Sequence, residues 1–74
     1  MKLPVISGQE LIKALSKIGF QPDHTTGSHV ILRKNVSPFT RVSVPLHKEL
    51  AKGTLRAIMR QVGLTHEQLN ELLK

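Results

Sequence analysis

Two hydrophobic periods alternate along the chain. Over residues 8–18, Leu11, Ile12, Leu15 and Ile18 recur at three- and four-residue intervals, with Lys13 and Lys17 between them. That spacing gives one apolar stripe, which predicts an amphipathic helix facing a core. Ser7-Gly8-Gln9-Glu10 opens it with S-x-x-E spacing, so the Ser7 hydroxyl and the Glu10 carboxylate can each satisfy an amide of the first turn. Gly19 suits the left-handed position that ends such a helix, and residues 1–6 read as a short extended lead-in.

The period then falls to two. Residues 20–24 predict a short strand, at a sheet edge or irregular, because Pro22 has no amide to donate. Thr25-Thr26-Gly27-Ser28 reads as a turn, with Gly27 relieving backbone strain there, and residues 29–34 as a second strand. Val30, Leu32 and Lys34 fall on one side of that strand, and His29, Ile31 and Arg33 on the other. Residues 35–40 read as a loop and 41–45 as a third strand. Its Val42 and Val44 match Val30 and Leu32 on the core side, while Arg41 and Ser43 share the outer side with His29, Ile31 and Arg33. Ile31 is the one apolar member of that outer face, a position suited to cover by a loop or a partner.

Helical spacing returns after a connection over residues 46–53 that carries His47, Lys48, Glu49 and Lys52. Thr54 is placed to cap a helix running to Val62, with Leu55, Ile58, Met59 and Val62 inward and Gly63 as its stop. Lys52, Arg56 and Arg60 recur every four residues and form a basic ridge, which alone fits a solvated helix face as well as a binding surface. Thr65-His66-Glu67-Gln68 is a second capping box, opening a short helix with Leu69, Leu72 and Leu73. Such a helix is marginal alone, so it docks on the core or on a partner. The whole order is α+β: a helix, three antiparallel strands, a helix and a short C-terminal helix.

Composition narrows the use of that fold. Seventy-four residues accommodate one domain, 1–74, with a core supplying roughly 3–5 kcal/mol of net stability. Eleven Lys and Arg against five Asp and Glu give a net charge of +6, which points to a polyanion such as nucleic acid, or to an acidic protein. The two phenylalanines are the sole aromatic residues, too few for a platform of stacked bases, so recognition through backbone and shape is expected. No cysteine is present, excluding disulfides and thiolate metal sites. No stretch is apolar and long enough for a membrane span or a signal peptide. A soluble, cytoplasmic protein is expected.

Gly27-Ser28-His29 holds the most suggestive chemistry: a glycine, a hydroxyl, and an imidazole, the side chain best suited in general to proton transfer. Taken alone, a histidine on a small basic domain reads as a surface or structural residue. With residues 44–64, V-P-L-H-K-E-L-A-K-G-T-L-R-A-I-M-R-Q-V-G-L, the reading changes. The G-S-H triplet, the K-G-T-L-R run and the Glu10-Leu11-Ile12 and Gly19-Phe20 pairs together resemble the HicA (YcfA-like) toxin family. Where many members follow G-S-H with a histidine or an aromatic residue, this chain has Val30-Ile31-Leu32.

That resemblance implies a fold like a double-stranded-RNA-binding domain, with helices on one face of a three-stranded antiparallel sheet. It implies an endoribonuclease toxin (an mRNA interferase) of a bacterial toxin–antitoxin system, active in stress responses and neutralised by a HicB-like antitoxin, with His29 as the catalytic residue. The chemistry suits one histidine, because RNA carries its own 2′-OH nucleophile and needs a base, an acid and positive charge on the phosphate. No metal or other cofactor is called for. Gly27, Ser28, Arg33, Lys34, Lys52, Arg56 and Arg60 are the candidates to hold RNA. If the turn centres on Thr26-Gly27, His24 stands across from His29 as the acid; otherwise it is an exposed strand residue. Ser28 either bonds a phosphate oxygen or shapes the turn. Two other readings stand beside the nuclease: a non-catalytic RNA-binding module, and a degenerate toxin that mainly binds a protein partner.

Overall fold

The structure is a computed structural model that describes residues 3–34 and 40–74. It contains α1 (Gly8–Ser16), β1 (Phe20–Thr26), β2 (His29–Lys34), β3 (Thr40–Pro45), α2 (Lys52–Val62) and α3 (His66–Leu72). The three strands form one antiparallel sheet in the order β1-β2-β3. This is the expected α+β arrangement. Most of the loop expected at 35–40 lies outside the described residues, and Thr40 already belongs to β3.

The core forms between one face of the sheet and the helices. Val30, Leu32, Val42 and Val44 meet Leu11, Leu15, Leu55, Ile58, Met59 and Leu69, all buried. The lead-in is part of it: Leu3 and Ile6 are buried, and the Leu50 amide donates to the Ile6 carbonyl at 2.8 Å. Lys17 fastens α3 to α1, its ammonium donating to the Leu72 carbonyl at 2.7 Å, where a cation satisfies carbonyls that end a helix.

Both capping boxes form as the spacing predicts, Ser7 with Glu10 and Thr65 with Gln68. Gly19 and Gly63 adopt positive φ, at 101° and 73°. Thr54 is different: the N-cap of α2 is Ala51, three residues earlier, with no side-chain cap. The Leu50 side chain is buried and its amide is tied to Ile6, so the chain is already fixed at the point where the helix turns. The Leu55 amide then bonds the Ala51 carbonyl at 2.9 Å, and Thr54 falls inside the first turn.

β1 also runs longer than expected, and its register shifts between Pro22 and His24. Asp23 is the extra residue of a bulge. Phe20 and Thr26 are six positions apart and would share a face in a regular strand. The bulge flips that parity, so Phe20 is buried in the core while Thr26 stands beside His29 on the outer side.

Candidate active site

The outer face is built from three cross-strand rows. Thr26, His29 and Pro45 form one, with Pro45 itself buried; His24, Ile31 and Ser43 form the next; Gln21, Arg33 and Arg41 form the third. His29 therefore opens β2 at one corner of the sheet, exposed to solvent. Its Nδ1 lies 2.9 Å from the Ser28 hydroxyl, so the preceding residue holds the ring. The corner is closed from β3, where the Leu46 amide donates to the Ser28 carbonyl at 2.8 Å.

The turn is centred on Gly27 and Ser28, one residue later than the Thr26-Gly27 position that would pair the two histidines. Thr26 stands across from His29, and His24 faces Ile31. The His24 ring instead lies 3.5 Å from the Asp23 carboxylate, which also meets Arg41 at 3.6 Å. The bulge supplies that carboxylate to the outer face. Gly27 also departs from expectation: its φ lies outside the left-handed region, and a Cβ there would meet nothing within 4 Å. No strain is relieved at this glycine. It leaves bare backbone and open space next to His29.

The cations divide into two sets. Arg33 and Lys34 are half-buried at the far end of β2, roughly 13–17 Å along the strand from His29 at about 3.3 Å per residue. Lys34 belongs to the core side and sits over the Phe20 ring, 5.7 Å from its centroid. Lys52, Arg56 and Arg60 are all exposed along α2, which starts six residues beyond the Leu46 contact with Ser28. Arg56 and Arg60, with Met59, Leu64 and His66, line a shallow depression of about 260 Å³. A second concavity of about 320 Å³ lies between α1 and the C-terminal residues, lined by Lys13, Lys17 and Lys74 among others, with His29 outside it. The histidine corner is thus an open surface site.

In the sequence His47 stands in the connection after the third strand and in the V-P-x-H run of the family resemblance, with no role of its own, and Gly8 stands as a spacer in the capping box. The structure sets both beside the corner: the Gly8 amide donates to the His47 carbonyl at 2.9 Å. The V-P-x-H spacing after an outward-facing strand was the available signal for His47; nothing local marks Gly8.

Fold and site together define a small helix-backed antiparallel sheet with an open corner that presents a hydroxyl-held histidine. The family model for the HicA toxin of bacterial toxin–antitoxin systems matches residues 8–64. The chain belongs to that family. Membership implies an antitoxin partner, and among the described residues no helix is long and apolar enough to cross a membrane. Neither the curated proteins nor the solved structures include a significant match.

Proposed function

We propose that the chain is a metal-independent endoribonuclease, an mRNA interferase, with His29 as its general base. The observation that carries this reading is the 2.9 Å contact between the Ser28 hydroxyl and His29 Nδ1 on an exposed ring. In the tautomer where Nδ1–H donates to Ser28 Oγ, the lone pair on Nε2 points outward and is free to accept a proton. Nε2 takes the proton of a 2′-OH, the 2′-oxygen attacks the adjacent phosphorus, and the bond to the 5′-oxygen breaks. The products are a 2′,3′-cyclic phosphate and a 5′-hydroxyl. Gly27 offers bare backbone where the sugar-phosphate chain approaches, and Lys52, Arg56 and Arg60 hold the strand electrostatically beyond the corner.

A HicB-like antitoxin in the cytoplasm covers the same corner. Support comes from the outer face, where half-buried Ile31 lies between exposed His29 and the Arg33–Arg41 pair, a combination suited to an acidic partner with an apolar contact.

The test is to incubate the purified chain and its His29→Ala variant, both folded by circular dichroism, with a defined RNA in the presence of chelator. Cleavage by the wild type alone, leaving 2′,3′-cyclic phosphate ends, is the expected result. RNA binding without cleavage by either protein overturns the nuclease reading.

A further inference from the structure

We infer that His47 is the general acid that protonates the leaving 5′-oxygen; this rests on the His29 nuclease reading and assigns the half of the reaction that His29 leaves open. The sheet itself sets the geometry. Pro45 is the partner of His29, and the ladder continues one step further through the Leu46 amide and the Ser28 carbonyl at 2.8 Å. His47 follows Leu46 as an exposed residue just past the end of β3, two positions beyond Pro45, the partner of His29. If the chain holds the direction of β3 past the Leu46–Ser28 bond, that position is diagonal to His29, roughly 7–8 Å away. Two imidazoles at that spacing can bracket one phosphodiester, with a nitrogen toward each of the oxygens in line with phosphorus.

The position of His47 is fixed at the backbone while its ring is left open. Its carbonyl accepts the Gly8 amide at 2.9 Å, the preceding residue is bonded to Ser28, and Leu50 is anchored to Ile6. The side chain is exposed and has no hydrogen-bond or ion-pair partner among the described residues. His24 is also diagonal to His29, yet its ring is engaged with the Asp23 carboxylate, which Arg41 shares. Lys48 and then Lys52 continue from His47 toward the basic ridge of α2, so the strand leaving the corner meets positive charge.

The proton ledger is complete. His29 begins neutral and accepts the 2′-hydroxyl proton as the bond from O2′ to phosphorus forms. His47 begins as the imidazolium and gives its proton to O5′ as the bond from phosphorus to O5′ breaks, which releases a 5′-hydroxyl. Exchange with water returns both rings to their starting states.

A general acid has a signature that binding and structural residues lack: it becomes dispensable when the leaving group needs no proton. The experiment compares the wild type with the His47→Gln, His24→Gln and His29→Gln variants on two RNAs, one natural and one with the scissile 5′-oxygen replaced by sulfur, whose thiolate departs unprotonated. His47→Gln is expected to slow cleavage of the natural linkage about 10²- to 10⁴-fold, the range for one acid–base group. On the sulfur linkage it should run within a few-fold of wild type, while His29→Gln stays slow on both. His47→Gln slow on neither RNA, or equally slow on both, overturns the assignment and leaves His29 as base intact. The sulfur signature appearing in His24→Gln instead does the same. A wild type that cuts neither RNA, or a His29→Gln variant as fast as wild type, overturns the nuclease reading itself.

Discussion

The amide of Gly8 lies 2.9 Å from the carbonyl of His47, and that contact joins the first residue of α1 to the chain just beyond β3. It is possible only because residue 8 has no side chain. A Cβ there would collide with the Pro45 carbonyl oxygen and stand 3.2 Å from the Leu46 Cα, and both are backbone atoms that cannot swing aside. In a helix an alanine is ordinarily favoured over glycine by up to about 1 kcal/mol. Here the overlap outweighs that preference, because overpacking against fixed atoms costs about 1–3 kcal/mol. Gly8→Ala should therefore lower stability by about 1–2 kcal/mol. In a domain of this size that is roughly 4–16 °C in melting temperature, read by thermal unfolding. An equal or higher melting temperature would contradict the close approach.

This contact shows where sequence reasoning stops. The helices, the strands β2 and β3, both capping boxes and the inward valines are local patterns, and each formed close to where its period placed it, the start of α2 excepted. The exposed histidine was likewise legible, since alternation around Val30 and Leu32 puts His29 outward. What local pattern does not contain is the meeting of distant segments. Gly8 reads as a spacer until β3 is laid against it, and Thr54 reads as a cap until Leu50 and Ile6 fix the chain ahead of it. The hairpin failed differently: moving the turn by one residue changes every cross-strand partner, and the bulge at Asp23 then reverses parity within β1. The moved turn, not the bulge, is why His24 stands across from Ile31 and not, as expected, across from His29.

Gly27 gives a prediction of the opposite kind. Its φ is not left-handed and an added Cβ meets nothing within 4 Å, so the fold makes no demand on this glycine. Gly27→Ala should melt at the wild-type temperature or slightly above, because alanine restricts the unfolded chain, a gain of about 0.4–1 kcal/mol. RNA cleavage should nevertheless fall, since the methyl group occupies the approach to His29. Unchanged cleavage would show that RNA does not pass over the turn.

The Ser28 hydroxyl should act through the ring it holds. Removing one hydrogen bond of this kind costs roughly 0.5–1.5 kcal/mol, which corresponds to about two- to tenfold in rate. Ser28→Ala should lose cleavage by that modest factor, far less than His29→Ala, with no change in RNA affinity by anisotropy. A loss of affinity with unchanged turnover would mean that the hydroxyl contacts RNA and does not orient the imidazole.

α3 lies beyond the matched residues 8–64, yet its packing makes it integral. Leu69 is completely buried, and truncating a buried leucine costs about 2–5 kcal/mol, comparable with the roughly 3–5 kcal/mol that a core this small provides. Leu69→Ala should be largely unfolded at 37 °C by circular dichroism. Thr65→Ala removes only the hydroxyl that accepts from the Gln68 amide at 3.1 Å, and should cost about 1 kcal/mol with the fold retained. If Leu69→Ala melts like the wild type, α3 is an appendage.

The basic ridge should be separable from the chemistry. Lys52, Arg56 and Arg60 are exposed on α2 and none belongs to the row that holds His29, so under the proposed function their part is to attract and hold phosphate. Each cation contributes through counterion release, and for a single strand log K falls with log salt by about 0.7 per phosphate neutralised. Arg56→Ala and Arg60→Ala should each weaken RNA binding and flatten that slope by about 0.7. The double variant should lose about 1.4, because the two charges contribute independently. At saturating RNA and low salt the cleavage rate should be close to wild type, since the reacting groups are untouched. Titrations by fluorescence anisotropy at several salt concentrations, beside single-turnover cleavage, measure both quantities. A slope that stays fixed while affinity falls would show that these arginines act by shaping the depression with Met59 and Leu64, not by neutralising phosphate.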